Sequence, residues 1–179
     1  MFLKSRPPIT LVCSAALEVE ARASLHGFVA TERLHFGGVT PADAQRQSIE
    51  VPESHELVGI DAGLFAQVNW KEMVYGIFGS AQDYLTHHFG FGLLHEGRLV
   101  AEAHGVVGGG LVEYGISTHP EYRRRGLTKV VTRQLMKHGG QLGLWTVATC
   151  AAGKVESVRA ITQSGLRQEH SYRVFTLSR

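Results

Sequence analysis

One segment carries a readable chemistry: Ile116-Ser117-Thr118-His119-Pro120-Glu121-Tyr122-Arg123-Arg124-Arg125-Gly126-Leu127-Thr128-Lys129. A strand pattern stops at His119-Pro120, and an apolar helical stripe begins at Leu127. The start of a helix exposes N–H groups that have no intrahelical acceptor, with the positive end of the helix dipole behind them. Gly126 removes the Cβ that would hold a phosphate away from those groups. Arg123, Arg124 and Arg125 add positive charge at the same place. The combination predicts a cradle for a phosphate or pyrophosphate. It is not a P-loop, because G-x-x-x-x-G-K-[ST] is missing, and not a dinucleotide fingerprint, because G-x-G-x-x-G is missing.

On these residues the chain resembles the GNAT acyltransferases, which move an acyl group from acyl-coenzyme A to an amine. Their signature at a strand-to-helix turn is R/Q-x-x-G-x-G/A, and here it reads Arg123-Arg124-Arg125-Gly126-Leu127-Thr128. Thr128 stands where the family has Gly or Ala. The resemblance covers about residues 86–179. The segments around Trp70, Phe89-Gly90-Phe91, Glu113-Tyr114-Gly115-Ile116 and Trp145 are similar to a bacterial subgroup of zwittermicin-resistance type. A second family pattern is Asn, a small residue three on, Tyr seven on, then Gly-Phe. Its positions hold Lys154, Ser157, Ile161, Gly165 and Leu166. The Tyr that often protonates the departing thiolate is therefore Ile161.

The resemblance implies acetyl-CoA as cosubstrate and direct attack by an amine on the thioester. It implies coenzyme contacts at Ile116, Ser117, Thr118, Arg123, Arg124, Arg125, Gly126, Leu127, Thr128, Lys129 and Ser157. The pantetheine would pair with the strand end at Ile116–Thr118, beside the 142–150 strand, and a backbone N–H there would hold the oxyanion. Positioning would then supply much of the rate. An amine is protonated at neutral pH, so a general base helps. Glu113 is the first candidate because it shares that strand. His119 is the second, because an ordinary imidazole titrates near pH 6.5. The acceptor is expected to be a small-molecule amine of unread identity. The alternative is a non-catalytic acyl-CoA-binding regulatory module, which the loss of the Tyr favours.

These residues need a scaffold, and the patterns supply one. Residues 8–14 read as a strand, Ala15–Leu25 as a helix and Phe28–Phe36 as a strand, a βαβ-like N-terminal lobe over 1–50. Residues 37–54, with Gly37-Gly38, Pro41 and Pro52, read as a connector and lobe boundary. Leu57–Tyr75 reads as a helix from Leu57, Ile60, Leu64, Val68 and Met73, and Ala81–His88 as another. From Gly90 the period becomes two. Phe91–Leu94 and Leu99–Val107 flank a hairpin turn, and Leu111–Thr118 makes a third strand. Helix Leu127–Lys137 follows, with Gly139-Gly140 as its C-cap signal. Then come strand Leu142–Cys150, helix Val155–Ser164 and strand Leu166–Leu177. The expected fold class is α/β (α+β). With the resemblance, residues 51–179 are expected to be a GNAT-like acyl-CoA-binding acetyltransferase domain whose mixed sheet is an antiparallel meander followed by β-α-β-α-β.

Composition excludes several classes. Lys and Arg number 18 against 16 Asp and Glu, a net charge of +2, which is too balanced for a protein that binds nucleic acid through phosphates. No apolar run reaches about 18 residues, so no membrane span is expected. Met1–Pro8 lacks the apolar core of a secretory signal, which points to the cytoplasm. Two cysteines, Cys13 and Cys150, read as reduced thiols. No histidine pair has the i, i+4 spacing of a helical metal site beside a Glu, so no metal is expected. A homodimer is among the assemblies the sequence leaves open.

Overall fold

The computed structural model describes residues 9–13, 18–24 and 27–177. Its strands are β1 (Ile9–Cys13), β2 (Val29–Val39), β3 (His55–Gly59), β4 (Phe89–His95), β5 (Arg98–Gly108), β6 (Leu111–Thr118), β7 (Trp145–Ala151) and β8 (Arg167–Leu177). Its helices are α1 (Glu18–Ser24), α2 (Pro41–Gln45), α3 (Lys71–Phe78), α4 (Ala81–His87), α5 (Leu127–Gln141) and α6 (Val155–Gln163). The eight strands form one mixed sheet in the order β1-β8-β2-β7-β6-β5-β4-β3. The expected α/β class and the meander followed by β-α-β-α-β are present. No helix among the described residues is long and apolar enough to cross a membrane.

Two layers cover the sheet. On one face α5 buries Leu127, Val130, Val131, Leu135 and Met136 against Ala103, Val112 and Tyr114, and Ile161 of α6 joins them. Leu127, Val131 and Leu135 recur at four-residue spacing, so one stripe of α5 meets the sheet. On the other face Phe65, Val68, Trp70, Val74 and Tyr84 form a second, aromatic-rich cluster. The Tyr84 hydroxyl donates to the carbonyl oxygens of Phe89 and Gly105, which ties α4 to that face.

The fold corrects three expectations. β2, which precedes residue 50, lies between β8 and β7 of the one sheet. The connector 37–54 contains the end of β2 and α2, whose start is fixed by Thr40, Pro41 and an Asp43 N–H bond to Thr40 Oγ1. The helix expected over 57–75 begins only at Lys71. Leu57 instead pairs with Leu93 across β3 and β4, and a 3-10 turn covers Leu64–Gln67. Spaced apolar residues served a sheet edge and a turn rather than one helical face. Finally, Gly139 and Gly140 lie inside α5 and are buried. A Cβ at Gly140 would stand 2.6 Å from the Pro41 carbonyl oxygen, and one at Gly139 2.9 Å from Val112. These glycines let α5 approach α2 and β6 closely; they do not end the helix. Of the two cysteines, Cys150 is buried with a free thiol, as expected of a small core residue, and burial raises its pKa. The Cys13 side chain lies outside the described residues.

Candidate active site

The sheet splits at its centre. β6 and β7 are its parallel pair, and their ladder runs from Leu111↔Trp145 to Glu113↔Val147. Beyond that point each strand follows its other neighbour. β5 stays paired with β6 as far as Thr118, and β2 stays paired with β7 as far as Ala151. Tyr114–Thr118 and Ala148–Ala151 therefore separate around a cleft of about 210 Å³. Arg33, Ile116, Cys150, Lys154, Ser157 and Ile161 are among its lining residues. A strand edge released in this way can pair with an extended, strand-like ligand.

The predicted cradle follows in sequence from β6, one wall of this cleft. A short 3-10 turn, Pro120–Tyr122, leads from β6 toward α5. Gly126 has φ +78° and nothing lies within 4 Å of the place its Cβ would take. The first bond into α5 is Lys129 N–H to the Gly126 carbonyl oxygen, at 3.0 Å. Among the described residues none accepts from the N–H groups of Arg124, Arg125, Gly126, Leu127 or Thr128. Leu127 is buried and anchors the helix start. Thr128 Oγ1 meets Thr118 Oγ1 at 2.9 Å, so the residue that replaces the family's Gly or Ala laces the strand end to the helix. Arg123 donates to the Thr118 carbonyl at 3.3 Å, and Arg125 donates to the Glu121 carbonyl at 3.0 Å while lying over the Tyr122 ring. Arg123 and Arg125 thus brace the loop, and Arg124 and Lys129 are exposed at its rim.

The opposite face holds the candidate bases. Glu113 is exposed where the cleft begins and accepts from Thr149 Oγ1 at 2.8 Å, while Arg33 donates to the same hydroxyl at 2.7 Å. This short chain bridges β6, β7 and β2. His119 lies farther along, beyond the end of β6. The Arg98 guanidinium donates to its Nε2, so the lone pair that a base would use is already engaged. Trp70 is buried, whereas Trp145 is 48% exposed at the start of β7.

A third carboxylate is the one that sequence reasoning missed. Glu102 on β5 pairs with Ser117 and is only 3% exposed. Its Oε1 accepts from the Asn69 N–H at 2.9 Å, and the Asn69 amide reaches Ser117 Oγ at 3.0 Å. Its Oε2 is buried without a partner among the described residues. A second cavity of about 210 Å³ opens here, bounded by Gln67, Asn69, Glu102, Ser117, His119 and Arg123. Burial raises the Glu102 carboxyl from 4.5 to about 7, against the opposing effect of the Asn69 bond. Next to it, His104 packs on Trp70 with centroids 4.1 Å apart, and burial lowers its pKa to about 4, which keeps it neutral. The signal in the sequence was a Glu between Ala101 and Ala103 in an otherwise apolar strand, easily taken for an outward position.

The raised carboxyl has a measurable effect on stability. Between pH 4.5 and about 7 the folded chain holds a proton at Glu102 that the unfolded chain has lost, so stability falls as pH rises through this range. Glu102→Gln keeps an acceptor for Asn69 and cannot ionise. The variant is expected to be more stable than the parent at pH 8, by about 3 kcal/mol at most, with the difference vanishing below pH 4.5. Thermal unfolding at the two pH values checks this.

Comparison with known proteins agrees with this arrangement. No curated protein matches the chain. A GCN5-related N-acetyltransferase-like protein from Streptococcus suis superposes with TM-score 0.73 at 20% identity, over 94% of this chain and 71% of that one. A putative GNAT-family acetyltransferase from Novosphingobium aromaticivorans gives 0.63 at 19%, over 96% and 68%. A GCN5-related N-acetyltransferase from Sphaerobacter thermophilus gives 0.69 at 13%, over 94% and 59%. These likenesses establish a shared fold. The GNAT acetyltransferase family model matches residues 31–175, which include the split strands, the cradle and all three candidate bases, and the chain belongs to that family.

Proposed function

We propose that the protein transfers an acetyl group from acetyl-CoA to the primary amine of a small-molecule acceptor. The observation that carries this reading is the parting of β6 and β7 beyond Glu113, followed after the end of β6 by N–H groups at Arg124–Thr128 that have no acceptor among the described residues. The N–H row, with Arg124 and Lys129 beside it, suits a pyrophosphate. The released edge at Ile116–Thr118 suits a pantetheine, with Ser157 on the wall across from it. A backbone N–H of the same edge would receive the negative charge that develops on the thioester oxygen.

On the other face, Glu102 and Glu113 lie at the two ends of the stretch that contains Gly115. Glu102 is the better base, because its carboxyl is unpaired at Oε2 among the described residues and titrates near neutral pH. Glu113, steadied by Thr149, would orient the incoming ammonium group. His119 is tied to Arg98 and serves the loop. The resemblance of the segments around Trp70 and Glu113 supports a place beside zwittermicin-resistance-type enzymes. Release of free thiol from acetyl-CoA with a panel of primary amines tests the reading. Binding without thiol release from any of them would leave the alternative, a non-catalytic acyl-CoA-binding module, which Ile161 in place of Tyr favours.

Ile161 also yields a prediction. It is 4% exposed, packed in the core beside the cleft, and offers no proton. Ile161→Phe is expected to destabilise the fold by about 1–3 kcal/mol through overpacking. The alkaline limb of the pH–rate profile should not move, because water protonates the departing thiolate in either protein. Denaturant unfolding and the pH profile of the variant check both parts.

A further inference from the structure

We propose that His35, Glu169 and His170 form a binding site for one divalent transition-metal cation of the zinc type, on the face of the sheet that carries Glu113. His35 on β2 pairs with His170 on β8, and the next pair is Phe36↔Gln168. Glu169 is therefore the extra residue of a β-bulge, a device that re-aims a side chain. The bulge turns Glu169 to the same face as the two histidines. Gly37 makes this possible, since a Cβ there would lie 2.8 Å from the Glu169 carboxylate.

The three side chains converge. His35 Nδ1 stands 3.3 Å from Glu169 Oε2, and the His35 and His170 rings stack with centroids 4.4 Å apart. One donor atom from each residue lies within 4.8 Å of the others. Donors around a tetrahedral zinc are about 3.3 Å apart, given bonds of about 2.0–2.1 Å, so exposed Glu169 and His170 need move little to close the set. Two imidazoles and a carboxylate suit zinc, cobalt, nickel or copper rather than calcium or magnesium. Three ligands leave a position for water. A metal here would clip β2 to β8, and it lies beside Thr149, the β7 residue opposite His35. Sequence spacing concealed the site because His35 lies more than 130 residues before the adjacent Glu169 and His170 and meets them only across strands.

The other close histidine pair among the described residues lacks these features. His55 and His95 approach to 4.8 Å, but each engages a backbone carbonyl through Nδ1 and no carboxylate joins them. That pair supplies the control. Chelator-treated protein titrated calorimetrically with zinc chloride at pH 7.5 should bind one ion per chain. It should unfold at a higher temperature when loaded, and with cobalt(II) it should show the visible absorption of a tetrahedral site. Glu169→Gln and His170→Gln lie at exposed positions and should each weaken binding at least about tenfold. His95→Gln should bind as the parent does. Absence of saturable one-site binding, or parental affinity in both Glu169→Gln and His170→Gln, would overturn the proposal.

Discussion

Gly126→Asp is expected to weaken acetyl-CoA binding at least about a hundredfold, or about 2.7 kcal/mol. Three effects act together. The new Cβ enters space that is open on the protein side, where a phosphate would approach the N–H row. The carboxylate places a negative charge at that point, where repulsion between charges about 4 Å apart is of order 4 kcal/mol near a protein surface. The substitution also forces a residue with a Cβ into φ +78°, which costs about 1–2 kcal/mol, small for the whole fold but borne by the turn that sets the N–H row. The variant should therefore stay folded while losing the ligand. Gly126→Ala carries no charge and should lose less affinity. Calorimetric titration with acetyl-CoA, beside thermal unfolding of each protein, separates lost binding from lost fold.

Glu102→Gln is expected to lower kcat about 10²–10⁴-fold, the usual worth of a general base. The parent's kcat/KM should rise with pH through about 7 as Glu102 ionises, and the variant should lack that limb. Coenzyme affinity should be nearly unchanged, because Glu102 bonds to none of the N–H groups at Arg124–Thr128. Glu113→Gln should act mainly on KM for the amine, since Glu113 is exposed and already accepts from Thr149. If Glu113→Gln abolished kcat and Glu102→Gln left it intact, the roles of the two carboxylates would be reversed. Steady-state kinetics across pH 5.5–9 with both variants decides between them.

The cradle was legible in the sequence because its parts are local. A strand-ending Pro120, three arginines, Gly126 and an apolar helix stripe lie within a few residues of one another, and each has one dominant structural use. The strands from Phe89 onward were legible for the same reason, as short period-two runs separated by turns. The segment 57–75 was misread because Leu57 and Leu64 sit at helical spacing by coincidence. Only the pairing of Leu57 with Leu93 shows that the first of them belongs to a sheet edge. Gly139-Gly140 misled because a glycine that ends a helix and one that lets a helix be approached closely look alike in sequence. Pro41 and Val112, which settle the matter, are distant along the chain. Glu102 was invisible for a related reason. Its raised pKa comes from burial, and the neighbours that meet it there, Asn69 and Ser117, lie 33 positions before it and 15 after it. The insertion of β2 between β8 and β7 likewise depends on long-range pairing that no local pattern encodes.

A crystal structure of the protein with acetyl-CoA would show whether the cleft between β6 and β7 and the N–H row at the start of α5 together hold the coenzyme. Pyrophosphate oxygens are expected within hydrogen-bond distance of the N–H groups of residues 124–128. The pantetheine is expected along Ile116–Thr118, opposite Ala148–Ala151, with the acetyl carbon facing the side of the sheet that carries Glu102 and Glu113. Coenzyme bound elsewhere on the chain, or an acetyl group directed away from both carboxylates, would contradict this placement.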